Sequence, residues 1–260
     1  MTSQSFRWDS DLYQKSSSVQ FELGLMAIER LKPKDFELIL DLGAGTARLS
    51  IEIAKRIPNG KVIALEISSE QCEQAKLNLR KYNINNVEIM CMNALDMNYK
   101  NKFDAVFSNS AIHWIPNLKK AYQLIYDSLK GGGRIVVQTG LKENGIVAKV
   151  VSQMFIKYRD YLNNFRIPWK FLSIKENERI LRKCNFRDIK IEPLDHPIKF
   201  KNERELFNYW RAAALVPFFT FLPEEVHDKF LEDFKQIYYE INSENPLEFI
   251  MRRVFIYARK

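Results

Sequence analysis

The chain has 260 residues, 46% of them hydrophobic, with a mean hydropathy of −0.31, enough for one large α/β domain or a domain plus a lid. Its 40 basic and 32 acidic residues leave a net charge of +8, but they are interspersed without a dense Lys/Arg tract, which argues against a nucleic-acid partner. No apolar run nears the roughly 18 residues of a membrane span, residues 1–15 lack a secretory core, and Cys72, Cys91 and Cys184 show no C-x-x-C spacing, so a cytoplasmic protein with reduced thiols is expected.

Taken in order, the chain opens with Trp8, Tyr13, a serine run and Gln20, then apolar residues at helical spacing (Phe21, Leu25, Ile28, Leu31) ended by Pro33. Residues 1–31 read either as a helix packed on the domain or as a flap over a ligand. An apolar strand over 37–42 contains Asp41 near its end, Gly43 and Gly45 follow, and a helical pattern begins at once over 47–56. Glycine lets the backbone turn tightly and approach a ligand, and the helix behind it offers unpaired N–H groups. A second buried strand, 61–66, ends in Glu66, about 20 residues after the glycine turn, where a carboxylate can accept from both hydroxyls of a ribose.

Two cofactor classes use such a turn. The dinucleotide pattern needs a small residue three places after the second glycine, and Arg48 stands there. The run Asp41-x-Gly43-x-Gly45, with Ala47 at the place of a third glycine, instead resembles the first motif of class I S-adenosylmethionine methyltransferases. The resemblance implies a Rossmann-like α/β fold with seven strands, mostly parallel with the last antiparallel, flanked by helices and carrying a helical cap. It implies S-adenosylmethionine as cofactor, with Asp41, Gly43, Gly45, Glu66 and Ile67 around it. The aromatic, serine turn and Gln entering a helix resemble the trans-aconitate, malonyl-carrier-protein and juvenile-hormone-acid O-methyltransferase group, which places Tyr13 and Gln20 over the cofactor.

Further along, Ser68 is set to cap a helix with Gln71 three residues on, and 87–91 is a third strand. By the same resemblance Asn93 and Ala94 meet the adenine, Asn93 standing where an acid is usual. The fourth strand, 103–110, exits through Ser108-Asn109-Ser110, with Asn109 and Ser110 expected at the cofactor. The exit lacks the Pro-Pro turn of amine methyltransferases and the carboxylates of metal-dependent catechol enzymes, so no metal is expected. His113-Trp114 again resembles the O-methyltransferase group, where the aromatic shapes the methyl pocket. His113 itself reads as a packed histidine or as a donor or base for the acceptor.

A helix over 118–129, a glycine turn over 130–134 and a strand over 135–137 follow. Residues 141–170 read as aromatic-rich helix, 175–183 as helix and 189–194 as strand six. About 50 residues, 199–246, then intervene before the last strand, 249–258, with helices over 203–215 and 223–241. Segments 141–170 and 199–246 form the expected cap of a single domain, with Trp169, Arg166 and Arg211 facing an anionic small-molecule acceptor. Arg252 and Arg253 alternate on the last strand, so at most one can face that pocket. The expected activity is O-methylation of a small carboxylic acid by a monomer. An RNA-modifying enzyme or a non-catalytic cofactor-binding module are the alternatives.

Overall fold

The computed structural model describes residues 18–142, 145–212 and 214–260; Tyr13 and the rest of the expected flap before Ser18 lie outside them. Helix α1 (Ser18–Leu31) precedes β1 (Leu38–Leu42), α2 (Arg48–Arg56), β2 (Lys61–Glu66), α3 (Ser69–Lys81), β3 (Val87–Cys91), β4 (Phe103–Asn109), α4 (Leu118–Ser128) and β5 (Leu129–Gly140). There follow α5 (Gly145–Lys157), α6 (Arg159–Leu162), α7 (Ile174–Lys183), β6 (Arg187–Lys199), α8 (Glu203–Ala212), α9 (Val216–Phe221), α10 (His227–Ile241) and β7 (Glu248–Arg259).

The seven strands form one sheet in the order β3-β2-β1-β4-β5-β7-β6. Strands β3 to β5 run parallel, and β7 is antiparallel to both of its neighbours. The strand order reverses between β1 and β4, which opens a ligand crevice at their carboxyl ends. Successive side chains of a strand point to opposite faces. Ile39, Phe107 and Val136 therefore pack under Leu23, Ile28 and Leu31 of α1, while Leu40, Val106 and Ile135 pack on the other face with Tyr122, Ile125 and Leu181. Local chemistry sets the helix starts: Ser68 accepts from Gln71 N, Asn117 accepts from Lys120 N, and Ser173 forms a reciprocal capping box with Glu176.

Three expectations are corrected. Gly131, Gly132 and Gly133 do not link a helix to a strand; they lie inside β5, looped out where its register against β4 slips between Phe103 and Ala105, with Gly132 at φ +77. Strand six runs to Lys199, well beyond the expected end at 194. Its Pro193 and Pro197 obscure the strand pattern, but β6 is the sheet edge, where a residue without an N–H is tolerated. Residues 216–221, expected as a connection, form α9, with Pro217 in its first turn where the missing N–H has no helical partner anyway.

The long β6 and β7 overrun the rest of the sheet. Ile198, Phe200, Phe249 and Met251 at their far ends join Trp210, Phe218, Phe230, Phe234 and Tyr238 in a third apolar cluster, the core of the helical cap. Asp233 of α10 ties the two cap segments together, accepting from Tyr158 Oη and Lys157 Nζ of the preceding segment, each at 2.8 Å. Replacing it leaves a buried hydroxyl unpaired. Asp233→Ala is therefore expected to lower stability by ~2–3 kcal/mol in urea denaturation while cofactor affinity stays within about twofold, since the cap core is separate from the glycine turn. An equal loss of both would show that cap and turn are one unit.

Candidate active site

The turn after β1 is shaped by backbone conformations that side chains resist. Gly43 and Gly45 have φ of +77 and +57, and Ala47, at the position of the usual third glycine, has φ +60. Alanine can hold that conformation at a cost of roughly 1–2 kcal/mol. Gly43 N and Ala44 N both donate to Leu65 O, which locks the turn onto β2. A Cβ on Gly43 would lie 2.2 Å from Ala111 Cβ, so the β4 exit is seated directly on this glycine. Helix α2 starts at Arg48, and its N-cap residue Ala47 offers no side-chain cap. The Arg48 guanidinium lies 4.2 Å from the Phe21 ring centroid, closing the turn on α1.

Asp41 is 2% exposed and accepts from Ser50 Oγ at 2.6 Å. Burial pushes its carboxyl up to about 7, the Ser50 bond opposes this, and the charge of Glu66 adds to it. A raised carboxyl keeps its proton in the fold while the unfolded chain, near the ordinary 3.8, has lost it. Folding stability from this group is thus largest at low pH and falls as pH rises from about 4 through 7. Asp41→Asn keeps an acceptor for Ser50 without that penalty. Its stability relative to wild type should rise between pH 5 and pH 7.5 in paired urea denaturation curves; a constant difference would mean Asp41 ionises normally.

Glu66 closes β2 with both oxygens engaged by backbone amides: Oε2 accepts from Gly45 N at 2.9 Å, and Oε1 from Ile67 N at 2.9 Å and Ser68 N at 3.0 Å. The carboxylate is thereby aimed across the glycine turn. Ile67 beside it is 57% exposed, an apolar face at the crevice rim. Across from it, Ala94 is buried and Asn93 Oδ1 accepts from Leu95 N at 2.9 Å, capping a short 3-10 turn.

At the β4 exit Ser108 Oγ donates to Leu42 O, and Asn109 Nδ2 donates to the backbone oxygen of Gln20 at 3.0 Å, so the start of α1 closes over this end. Gln20 Oε1, Asn109 Oδ1 and Gln71 Oε1 are buried acceptors without hydrogen-bond partners among the described residues. Ser110, at φ +52, directs its hydroxyl at Gln138 and receives Arg253. His113 is 7% exposed, with Nδ1 2.9 Å from Thr139 Oγ1. Burial, and secondarily the nearby Arg253, hold its pKa well below the usual imidazole value, so the ring is neutral.

A strap from the cap is hydrogen-bonded over this exit: Lys170 N donates to His113 O, and Lys142 N to Leu172 O. It lays Trp169 edge-on to Trp114 at 5.4 Å and Phe171 against His113 at 4.8 Å, while Trp169 also meets Phe218 of the cap core. The His113-Trp114 pair and Trp169 are thus brought together as an aromatic wall. Arg166 and Arg211 are exposed, and Arg166 donates to the backbone oxygens of its own segment. The arginine buried at this end is Arg253, whose neighbour Arg252 pairs with exposed Asp195. Alternation along β7 was the available signal; only the sheet decides which of the two turns inward.

A sheet of this order with an acidic residue and two left-handed glycines after β1, and a carboxylate closing β2, defines a nucleoside-binding Rossmann-like enzyme of the methyltransferase class. A methyltransferase-domain family model matches residues 34–185, and the chain belongs to that family. It is similar to juvenile hormone acid O-methyltransferase of Drosophila melanogaster, 23% identical over 252 residues covering 90% of this chain and 83% of that one. It is also similar to malonyl-acyl-carrier-protein O-methyltransferase 1 of Ilyobacter polytropus, 28% identical over 168 residues covering 63% of this chain and 58% of the other. Among solved structures, phosphoethanolamine N-methyltransferase 2 of Haemonchus contortus with S-adenosyl-L-methionine shares the fold, with a TM-score of 0.64, 18% identity, and coverage of 96% of this chain and 56% of that one.

The enzyme is a methyltransferase that uses S-adenosylmethionine. The residues present fit that cofactor: buried acceptors at Gln20 and Asn109 that have no hydrogen-bond partner among the described residues suit an ammonium group. Among the described residues no helix is long and apolar enough to cross a membrane.

Proposed function

We propose that the chain transfers a methyl group to a carboxylate oxygen of a small acid with an apolar body. The observation that carries this reading is His113, a buried neutral imidazole with Nδ1 engaged by Thr139. Its depressed pKa makes it a poor base for a hydroxyl, and a carboxylate needs none. S-adenosylmethionine, when bound, supplies a methyl group on a sulfonium centre. The chain's part is alignment and exclusion of water: Glu66 grips the ribose, Asn93, Ala94 and Ile67 flank the adenine, Gln20, Asn109 and Ser110 surround the amino-acid end, and Trp114, Trp169 and Phe171 wall the acceptor. The names of two similar proteins, both O-methyltransferases and one of an acid, support the same acceptor chemistry.

The test is a screen of carboxylic acids with isotopically labelled S-adenosylmethionine, the product being identified by mass and by its release of methanol in mild alkali. A methyl ester is expected, with a kcat/KM profile between about pH 6.5 and 8.5 that His113→Gln leaves unchanged, since a limb there belongs to Asp41, whose carboxyl is pushed up to about 7. An alkali-stable methylated product, or a limb in that range lost in His113→Gln, would establish a hydroxyl or amine acceptor instead.

A further inference from the structure

Gln71 stands in the first turn of α3 and is 6% exposed. Its backbone N–H donates to Ser68 Oγ, which is half of the capping box that the spacing of the two residues predicts. The other half would turn the Gln71 side chain back onto the Ser68 N–H. That N–H donates to Glu66 Oε1 instead, at 3.0 Å, so the Gln71 side chain is released from capping. It lies over the glycine turn, with Oε1 2.8 Å from the point that a Cβ on Gly45 would occupy. This oxygen is buried and has no hydrogen-bond partner among the described residues. Helix α3 is itself fastened to the turn, since Asn78 Nδ2 donates to Thr46 O at 2.9 Å. A rigid element therefore holds the oxygen in place. A buried carbonyl without a donor destabilises a fold, and an apolar side chain would fill the same space without that cost.

The bonding of Glu66 shows which donor is still unserved. A carboxylate has about four lone-pair positions. Oε1 uses two of them on Ile67 N and Ser68 N, and Oε2 uses one on Gly45 N. One position is left, whereas a ribose diol brings two O–H donors. Gly45 stands between the two side chains: its N–H meets Glu66 Oε2, and the space beside its α-carbon is taken by Gln71 Oε1. The acceptor that Glu66 lacks is thus present on the other side of the same glycine.

We propose that Gln71 is a second ribose acceptor, its Oε1 taking the hydroxyl for which Glu66 has no lone pair left. Gln71 is then a cofactor-binding residue supplied by α3, and it makes the site discriminate between ribonucleosides and deoxyribonucleosides. The inference rests on Glu66 facing the ribose and is independent of the methyl acceptor.

The experiment measures S-adenosylhomocysteine and its 2′-deoxy and 3′-deoxy analogues by isothermal calorimetry on the full chain. Wild type is compared with Gln71→Met, which keeps the length of the side chain and removes the amide. Wild type is expected to bind each deoxy analogue about tenfold more weakly than S-adenosylhomocysteine. Gln71→Met should bind S-adenosylhomocysteine about tenfold more weakly than wild type does, yet bind one of the two deoxy analogues as well as wild type, because the hydroxyl that Gln71 serves is missing from it. Urea denaturation of the ligand-free proteins should find the variant at least as stable as wild type, since an orphaned acceptor has gone.

Equal weakening of all three ligands, with or without a lowered unfolding midpoint, means that Gln71 only supports the turn and overturns the proposal. Wild type sensitive to both hydroxyls with Gln71→Met unchanged removes Gln71 from the ribose and leaves Glu66 there. Wild type indifferent to both hydroxyls removes the two residues together. Should Gln71→Met not fold, Gln71→Ala takes its place with the same expected pattern across the three ligands.

Discussion

Glu66→Gln is expected to bind S-adenosylhomocysteine about a hundredfold more weakly than wild type, equivalent to ~2.7 kcal/mol. The carboxylate accepts from three backbone amides, Gly45, Ile67 and Ser68, and so holds the glycine turn and the start of the β2–α3 loop in one orientation. An amide of the same shape must turn its NH2 toward at least one of those N–H groups, which sets donor against donor. It also removes one of the two acceptors a ribose diol needs, and bonds to a charged group contribute about 1.5–3 kcal/mol each. Adenine alone, which has no ribose, should lose much less than S-adenosylhomocysteine, and only through Ile67, whose amide Glu66 also holds. Isothermal calorimetry decides: retention of S-adenosylhomocysteine affinity within about threefold would place the ribose elsewhere.

Gly43→Ala should be the more damaging change. Its φ of +77 costs an L residue roughly 1–2 kcal/mol, and its new methyl would stand 2.2 Å from Ala111 Cβ, closer than real carbons approach. Neither atom belongs to a flexible side chain, so the β4 exit must shift as a unit, taking Ser110 with it. We expect cofactor binding to fall below detection and thermal stability to drop. Gly45→Ala makes the informative comparison, because its Cβ meets only the end of the Gln71 side chain, at 2.8 Å, and that amide can swing away. The Gly45 variant should keep measurable affinity. Equal behaviour of the two would mean that backbone strain, and not the seat of Ala111, governs the site.

The central sheet was largely legible because parallel strands buried on both faces read as unbroken apolar runs. Leu38–Leu42, interrupted only by Asp41, and the Val62–Leu65 interior of β2 are such runs, and their exposure pattern is nearly that of solid core. The edges were less so. Strand β6 alternates polar residues and carries two prolines, which only its position at the sheet margin explains. The three glycines of β5 look like a turn in isolation and become a bulge because β4 supplies a partner on either side of them. The aromatics of 141–170 and 199–246 point to a cap, but the strap joining Lys170 to His113 and Leu172 to Lys142 is made by backbone groups that carry no residue signature.

The sequence by itself determined the glycine turn after β1 and the carboxylate that closes β2. Left-handed turns need glycine or a tolerant substitute within a few residues, and a carboxylate at the end of the next strand is fixed by chain length, so Asp41, Gly43, Gly45 and Glu66 announce their chemistry locally. Which arginine the fold buries was decided only by tertiary structure. Arg166, Arg211, Arg252 and Arg253 are equivalent in composition, yet pairing of β7 between β5 and β6 buries Arg253 and leaves the other three exposed or half-exposed. Which face a side chain meets depends on strands more than a hundred residues apart, as Ser110 and Arg253 are, and no local pattern encodes that meeting.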